Sequence, residues 1–379
     1  MKLTAVSGNH NVHLILYTVM HFLVDLSCIF YLMGMIYVRL PGYEDWTRAA
    51  VLYNLFAFAL PAVLGLIADI AGKNALVSSL GCLLILISYL FIPAPWTAVV
   101  LIGVGNGLFH IGGGRQILMD SVRPEGAAAE PGSRLRIKTK SGFQYAPSGI
   151  FISSGAFGVY LGRTLSGMFK QVFYVSLWIL LAVCVVLLAW LGVLQWKDSI
   201  RSRLSRQKLS RGMLAGSLLI FLVVILRSYY GFVAVYSWNR TFLTGLLFTF
   251  CIVAGKFIGG IAADWIGVTA ASLISLMGAG ILALFAGGSP AAGCISILLF
   301  NMTMPITLTL LTDLWKELPG FAFGVLMLAL FLGTLPSMVW KVRWMSSAAG
   351  QLGLCILSLV LLLAAIYMKE RSGETGASG

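Results

Sequence analysis

Long apolar runs recur along almost the whole chain, separated by short polar stretches. A helix crossing a hydrocarbon core of roughly 30 Å needs about 20 apolar residues. Twelve runs fit that description, over residues 12–37, 47–68, 74–93, 96–119, 147–166, 172–195, 213–236, 241–263, 269–287, 290–312, 320–340 and 347–368. The pattern predicts an all-α polytopic membrane protein with twelve transmembrane helices and little chain left for any soluble domain. The opening stretch MKLTAVSGNHNVH has one Lys and no small-residue cleavage site after a short apolar core, so the first run is expected to be retained rather than removed as a signal peptide.

Composition agrees with that reading: of 379 residues, 59% are hydrophobic and 10% charged, a balance foreign to water-soluble domains. The net charge of +13 would suit nucleic acid, but its placement points elsewhere. Arg123, Arg134, Arg136, Lys138 and Lys140 lie between runs 4 and 5, Lys197 to Arg211 between runs 6 and 7, and Lys369 and Arg371 after run 12. If the runs alternate, all three places share one side, and the positive-inside rule makes both termini cytoplasmic. Cell (inner or plasma) membrane residence, contact with lipid, no nucleic-acid partner and a monomeric state are the expectations. The six cysteines all fall inside apolar runs without a CxxC pair and read as packing residues, and four histidines without ligand spacing suggest no metal site. No cofactor motif is present.

Residues 65–81, GLIADIAGKNALVSSLG, resemble 260–276, GIAADWIGVTAASLISL, 195 positions later. Gly65, Asp69 and Gly72 map onto Gly260, Asp264 and Gly267, and Asn106 maps onto Asn301. Repetition at half the chain length predicts two pseudo-symmetric six-helix halves, 1–195 and 213–379, joined by a basic cytoplasmic linker at 196–212. Each copy puts an Asp at the end of an even-numbered helix, ahead of a turn that Gly makes possible. Such an Asp can accept hydrogen bonds from free N–H groups at the start of the next helix or of a helix in the other half. Gly65, Asp69, Gly72, Lys73, Arg115 and Asp264 are therefore gating candidates, with Lys73 offering a charge-pair latch that Val268 cannot. Arg115 lies within about a turn of the cytoplasmic end, where a long cationic side chain either gates or snorkels.

Of thirteen Asp and Glu residues, only Asp25 falls at mid-depth in a run. A charge there costs about 2.5–3.5 kcal/mol on insertion scales, so it calls for a partner, a watery cavity or a function. Tyr17, His21 and Asp25 are each four residues apart and share a helix face. A carboxylate that gains and loses a proton as a cavity switches sides is a physical basis for coupling, and Asp25 with His21 are the candidates. Arg227 is the expected partner of Asp25 and an expected ligand for an anionic solute, because runs 1 and 7 are equivalent elements of the two halves. Asn106 and His110 in run 4, Tyr17, Tyr230 and Asn301 complete the substrate-binding candidates. No phosphate-binding loop argues for ATP-driven transport, and no nucleophile motif or second nearby carboxylate argues for an enzyme.

Twelve runs in two halves and the G-x-x-x-D-x-x-G-K turn between runs 2 and 3 resemble the major facilitator superfamily, whose fold would then be expected here. HFLVD in run 1, GNGLFHIGGGRQ in run 4 and LRS in run 7 resemble the branch of fosmidomycin-resistance-type exporters. The resemblance implies a secondary transporter moving a small organic solute, anionic, zwitterionic or amphipathic, by alternating access, in proton-coupled export. An organic-anion importer and a non-transporting sensor on the same fold are the alternatives.

Overall fold

The computed structural model describes residues 10–121, 143–168, 170–196, 209–339 and 343–377, and every regular element among them is helical. Twelve helices appear where twelve apolar runs predict them. They are α1 (His10–Tyr31, continued by a π turn at Leu32–Ile36 and a 3-10 turn at Tyr37–Arg39), α2 (Tyr43–Asn54, a π turn at Leu55–Ala59, then Pro61–Ala71) and α3 (Asn74–Ser88). Next come α4 (Pro95–Ser121), α5 (Ala146–Met168), α6 (Lys170–Leu194), α7 (Arg211–Val233), α8 (Phe242–Ile266) and α9 (Val268–Ala283). The last three are α10 (Pro290–Asn301 and Thr303–Leu314), α11 (Pro319–Val339) and α12 (Ala348–Ala377).

Local chemistry sets the ends and the irregularities. Pro95, Pro290 and Pro319 open α4, α10 and α11, where a missing N–H costs nothing. Ser210 caps α7 by accepting from the Met213 N–H, and Thr241 with Thr244 forms a reciprocal capping box on α8. The π turn in α2 precedes Pro61, and the break in α10 at Met302 precedes Pro305. In both, the proline ring excludes the carbonyl four residues back, so the ladder has to yield. α3 and α9 stop earlier than their apolar runs do, because the last residues fold into i to i+3 turns at Leu90–Phe91 and Leu284–Ala286.

Among the described residues, nine helices are long and apolar enough to cross a membrane by composition, and α3 and α9 are shorter apolar ones. α5 falls below that composition because it carries a row of small and polar residues, whose use becomes clear at the site below. Large apolar side chains such as Val186, Leu243, Phe250 and Val360 are more than half exposed, which suits lipid and not water. All six cysteines are buried and free, packing residues as expected.

By packing, the chain divides into two compact units: Met1–Gln116 with Ser154–Gln207 and Trp315–Lys341, and Ile117–Ser153 with Lys208–Leu314 and Val342–Gly379. In the first, α3 packs along α6 and α11 along α2; in the second, α9 packs along α12 and α7 along α12. The α3–α6 and α9–α12 pairs are equivalent under the sequence repeat. A small apolar cluster of Leu26, Phe30 and Leu177, with Phe22, Leu161 and Leu165 against it, joins α1, α5 and α6. The basic loop at 122–142 and most of the 196–212 linker, on which the topology expectation rests, lie outside the described residues.

Candidate functional site

In the first unit, helical spacing on α1 and α4 brings four polar side chains together in the protein interior. His21 and Asp25 lie one turn apart, with His21 Nε2 3.2 Å from Asp25 Oδ2. On α4, Asn106 and His110 are likewise one turn apart. The Asn106 amide donates to Asp25 Oδ1 at 3.1 Å, and His110 Nε2 lies 2.8 Å from His21 Nε2 and 3.7 Å from Asp25 Oδ1. His21, Asn106 and His110 are buried, and Asp25 is nearly so. Tyr17, one turn before His21, is fully buried.

Hydrogen-bond directions fix a proton inventory. His110 Nδ1 lies 2.9 Å from the Asn106 carbonyl oxygen, which can only accept, so Nδ1 carries a proton and a neutral His110 presents a lone pair at Nε2. The 2.8 Å contact between the rings then requires the proton on His21 Nε2. That single hydrogen faces two acceptors, His110 Nε2 and Asp25 Oδ2. With both rings neutral, His110 Nε2 accepts the His21 hydrogen and lies 3.7 Å from Asp25 Oδ1 with no proton between them, so the group as a whole has acceptors for one more proton.

α5 makes the arrangement possible. A Cβ on Gly155 would lie 2.5 Å from His21 Nε2 and closer still to Asp25 Oδ2, so only glycine lets this helix pass the pair. Gly155 was legible in the sequence only as part of a glycine-rich run.

His21, Asp25 and His110 also bring three metal-ligand atoms within 4.8 Å of one another. The expectation of no ligand spacing held along the chain and did not carry into three dimensions. Geometry favours a proton over a metal here. Tetrahedral zinc with bonds of about 2.0–2.1 Å spreads two nitrogens to about 3.3 Å, whereas the rings stand at hydrogen-bond distance.

In the second unit, Arg227 on α7 is buried and donates from Nη1 to Thr307 Oγ1 at 3.1 Å. The pairing expected with Asp25 would join the two units; within its own unit no ion pair joins Arg227 to a carboxylate among the described residues, and within the first unit His21 and His110 stand beside Asp25. Tyr230 is fully buried, its ring stacked on Phe300 at 3.8 Å and its hydroxyl near Ser296 and Gln351, which is a packing role. Asn301 ends the first segment of α10 and donates to its own helix at Ile297 O, 2.8 Å away.

The repeated Asp residues each cap a distant helix. Asp69, fully buried, accepts from the N–H groups of Gly320 (3.0 Å) and Phe321 (2.8 Å) at the start of α11. Asp264 accepts from those of Gln144 (2.9 Å), Tyr145 (3.1 Å) and Ala146 (2.8 Å) at the start of α5. Helix α2 thus caps α11 and α8 caps α5, each reaching into the other sequence half. Gly72 follows Asp69 with φ of 66°, and Gly65 lets the α2 backbone meet Gly320 directly.

The cation for Asp69 is Arg115, at 2.6 Å from Nε, and Arg115 also donates to Asn74 Oδ1 at 2.5 Å. Arg115 is fully buried, so it gates or braces and does not snorkel. Lys73 is turned elsewhere, donating to Trp196 O at 2.6 Å and lying 3.8 Å over the Trp196 ring. Beside the Asp264 cap, Gln144 donates to Asp313 at 3.0 Å, and Asp313 also pairs with Lys369. Gln144 and Asp313 were not sequence candidates; an acidic residue ending α10 opposite a lysine on α12 was the available signal.

Among the described residues, twelve helices, nine of them apolar and long enough to span, define a multi-pass membrane protein. No family model matches the sequence, and no curated protein matches it by sequence. Solved structures do match in fold. The E. coli fucose:proton symporter FucP superposes with a TM-score of 0.60 at 13% identity over 95% of this chain and 98% of that one. FucP in its outward conformation, described as a major facilitator superfamily transporter, gives 0.58 at 14% identity over 93% and 99%. A bacterial homologue of the iron transporter ferroportin in an outward-facing state gives 0.57 at 14% identity over 97% and 100%. The chain has the major facilitator fold; the likeness to fosmidomycin-resistance-type exporters is carried by its motifs alone.

Proposed function

We propose that the protein is a secondary transporter that moves a small organic solute by alternating access, coupled to protons in the direction of export. One observation carries the reading: His21, Asp25 and His110, from two helices, share a hydrogen-bond path in which one proton on His21 faces two acceptors and there is room for another. A cluster of that kind binds H⁺ from the side it faces and releases H⁺ to the other when its neighbours shift, with no covalent step. The coupling residues are Asp25 and His21, as the sequence suggested, with His110 added as the relay and Asn106 as the donor that orients the carboxylate. The fold supports transport as the class; the fucose:proton symport named for FucP is that protein's own activity and leaves direction to be decided here by the motif likeness.

In this reading the two Asp caps are the closure. With the basic loops in the cytoplasm, α2–α11 and α8–α5 meet at the cytoplasmic ends, and each cap must release its N–H donors when the pathway opens inward. The sequence halves, 1–195 and 213–379, are then the rocking bodies, and the caps are the contacts that cross between them.

The test is solute uptake into proteoliposomes with an imposed pH gradient, using a panel of organic solutes. Accumulation that follows the gradient and collapses with a protonophore is the expected result. Accumulation unaffected by the protonophore, or driven equally by sodium alone, would remove protons from the mechanism.

A further inference from the structure

Arg227 has no part in the proton inventory. It is more than nine-tenths buried in α7, and its surroundings differ from those of the cations that hold carboxylate partners among the described residues. Arg115 is paired with Asp69, Lys369 with Asp313, and the exposed Arg48 with Glu44 and Asp45. Arg227 has Thr307 as its hydrogen-bond acceptor and, among the described residues, no carboxylate. The Thr307 hydroxyl spends its own proton on the carbonyls of Thr303 and Met304, so it offers Arg227 a lone pair and no charge. A guanidinium has five N–H donors in a rigid fork, and one bond to a hydroxyl leaves most of that capacity unused.

The place is also unusual in backbone terms. Thr303 and Thr307 begin the second segment of α10, directly after the break that Pro305 forces at Met302. Discontinuous helices in membrane proteins persist where the irregular backbone serves a site, since lipid would not satisfy it. A buried fork whose one acceptor is a hydroxyl, beside a broken helix, has donors suited to an anion.

The geometry points to Arg227 as the receptor for an oxyanion, a carboxylate or a phosphoryl-type group, carried by the transported solute. The fork grips two oxygens side by side, and the Thr303–Thr307 turn holds the guanidinium in plane. The inference rests on the transporter reading and narrows its solute to one with an acidic group. A lipid headgroup phosphate presents the same chemistry, and the experiment separates the two sources.

Thermal unfolding of the purified protein in uncharged detergent is followed against acetate, inorganic phosphate and methylphosphonate, with acetamide and tetramethylammonium chloride at matched ionic strength as controls. The expected result is a rise in midpoint with at least one oxyanion that the controls do not give, because a ligand of the folded state alone stabilises it by mass action. In Arg227→Lys, which keeps the charge and loses the fork, the half-saturating concentration should rise by about tenfold, and in Arg227→Met the shift should vanish. Equal shifts in Arg227→Met, or no shift beyond the controls in wild type, would overturn the inference. If only nanodiscs containing phosphatidylglycerol raise the midpoint, and free oxyanions do not, the site is a lipid site and the solute assignment falls. Because binding in detergent needs neither flux nor a pH gradient, oxyanion binding without transport would sink the transporter reading alone. Transport of neutral solutes without oxyanion binding would sink this inference alone.

Discussion

Two of the buried polar places among the described residues, around Asp25 and around Arg227, are built on opposite principles. Around Asp25 the charges are answered from within: His21 and Asn106 donate to the carboxylate, His110 stands behind them, and Gly155 gives the group room. Around Arg227 the chain provides a hydroxyl and little else. A group that already holds its partners can store and pass a proton without help. A buried cation with no internal counter-ion has to find one in something that arrives. In the proposed reading, coupling belongs to the first place and recognition to the second.

The sharpest way to test that division is to remove each kind of arginine. Arg115→Met leaves Asp69 buried without its cation, and breaking a buried pair in this way costs about 3–5 kcal/mol. Arg227→Met removes a charge that no carboxylate answers, so unfolding stability in ligand-free detergent should change by less than about 1 kcal/mol or rise. The measurement is chemical or thermal unfolding of both variants side by side. If Arg227→Met lost as much as Arg115→Met, Arg227 would have an internal counter-ion after all.

A second experiment attacks the proton cluster through its neighbour. Gly155→Ala pushes a methyl group into His21 and Asp25, and overpacking of this sort costs about 1–3 kcal/mol. Proton-driven accumulation should fall severely while oxyanion binding at Arg227 stays near wild type. Loss of both to the same degree would mean the two places do not work separately.

The smallest effect is expected at Tyr230. Its hydroxyl makes long contacts of 3.4 and 3.5 Å to Ser296 and Gln351, and its ring is held by Phe300, so Tyr230→Phe should cost about 0.5–1 kcal/mol. The half-saturating solute concentration should not move. A large change in it would return Tyr230 to the binding site where the sequence placed it.

Length and polarity made the helices legible, because each span has to cover a fixed thickness of hydrocarbon with apolar residues, and that constraint is visible residue by residue. Asp25 with His21 was legible for a related reason: a charge in such a run stands out, and i, i+4 spacing is local. What the sequence hides is which helix lies beside which. His110 was a candidate, but its contact with His21 spans 89 positions and no spacing rule reports it. Arg115 read as a gating or a snorkelling residue because it sits near a helix end, and the fold buries it against Asp69, 46 positions away. Lys73 looked like the partner of Asp69 because it follows four residues later; the left-handed turn at Gly72 sends it to Trp196 instead. The Asp repeat announced both caps and allowed two partners, the next helix or one of the other half; each Asp caps a helix of the other half.

The central claim is that Asp25 carries the coupling proton, and Asp25→Asn tests it most directly, since the amide keeps the shape and cannot titrate. Wild type and variant are reconstituted in parallel, and flux of one transported solute is followed with and without a pH gradient. The account predicts that the variant still exchanges solute across the bilayer down its concentration gradient but no longer concentrates it when the pH gradient is imposed. An Asp25→Asn protein that concentrates solute as well as wild type would contradict it and move the proton to another group.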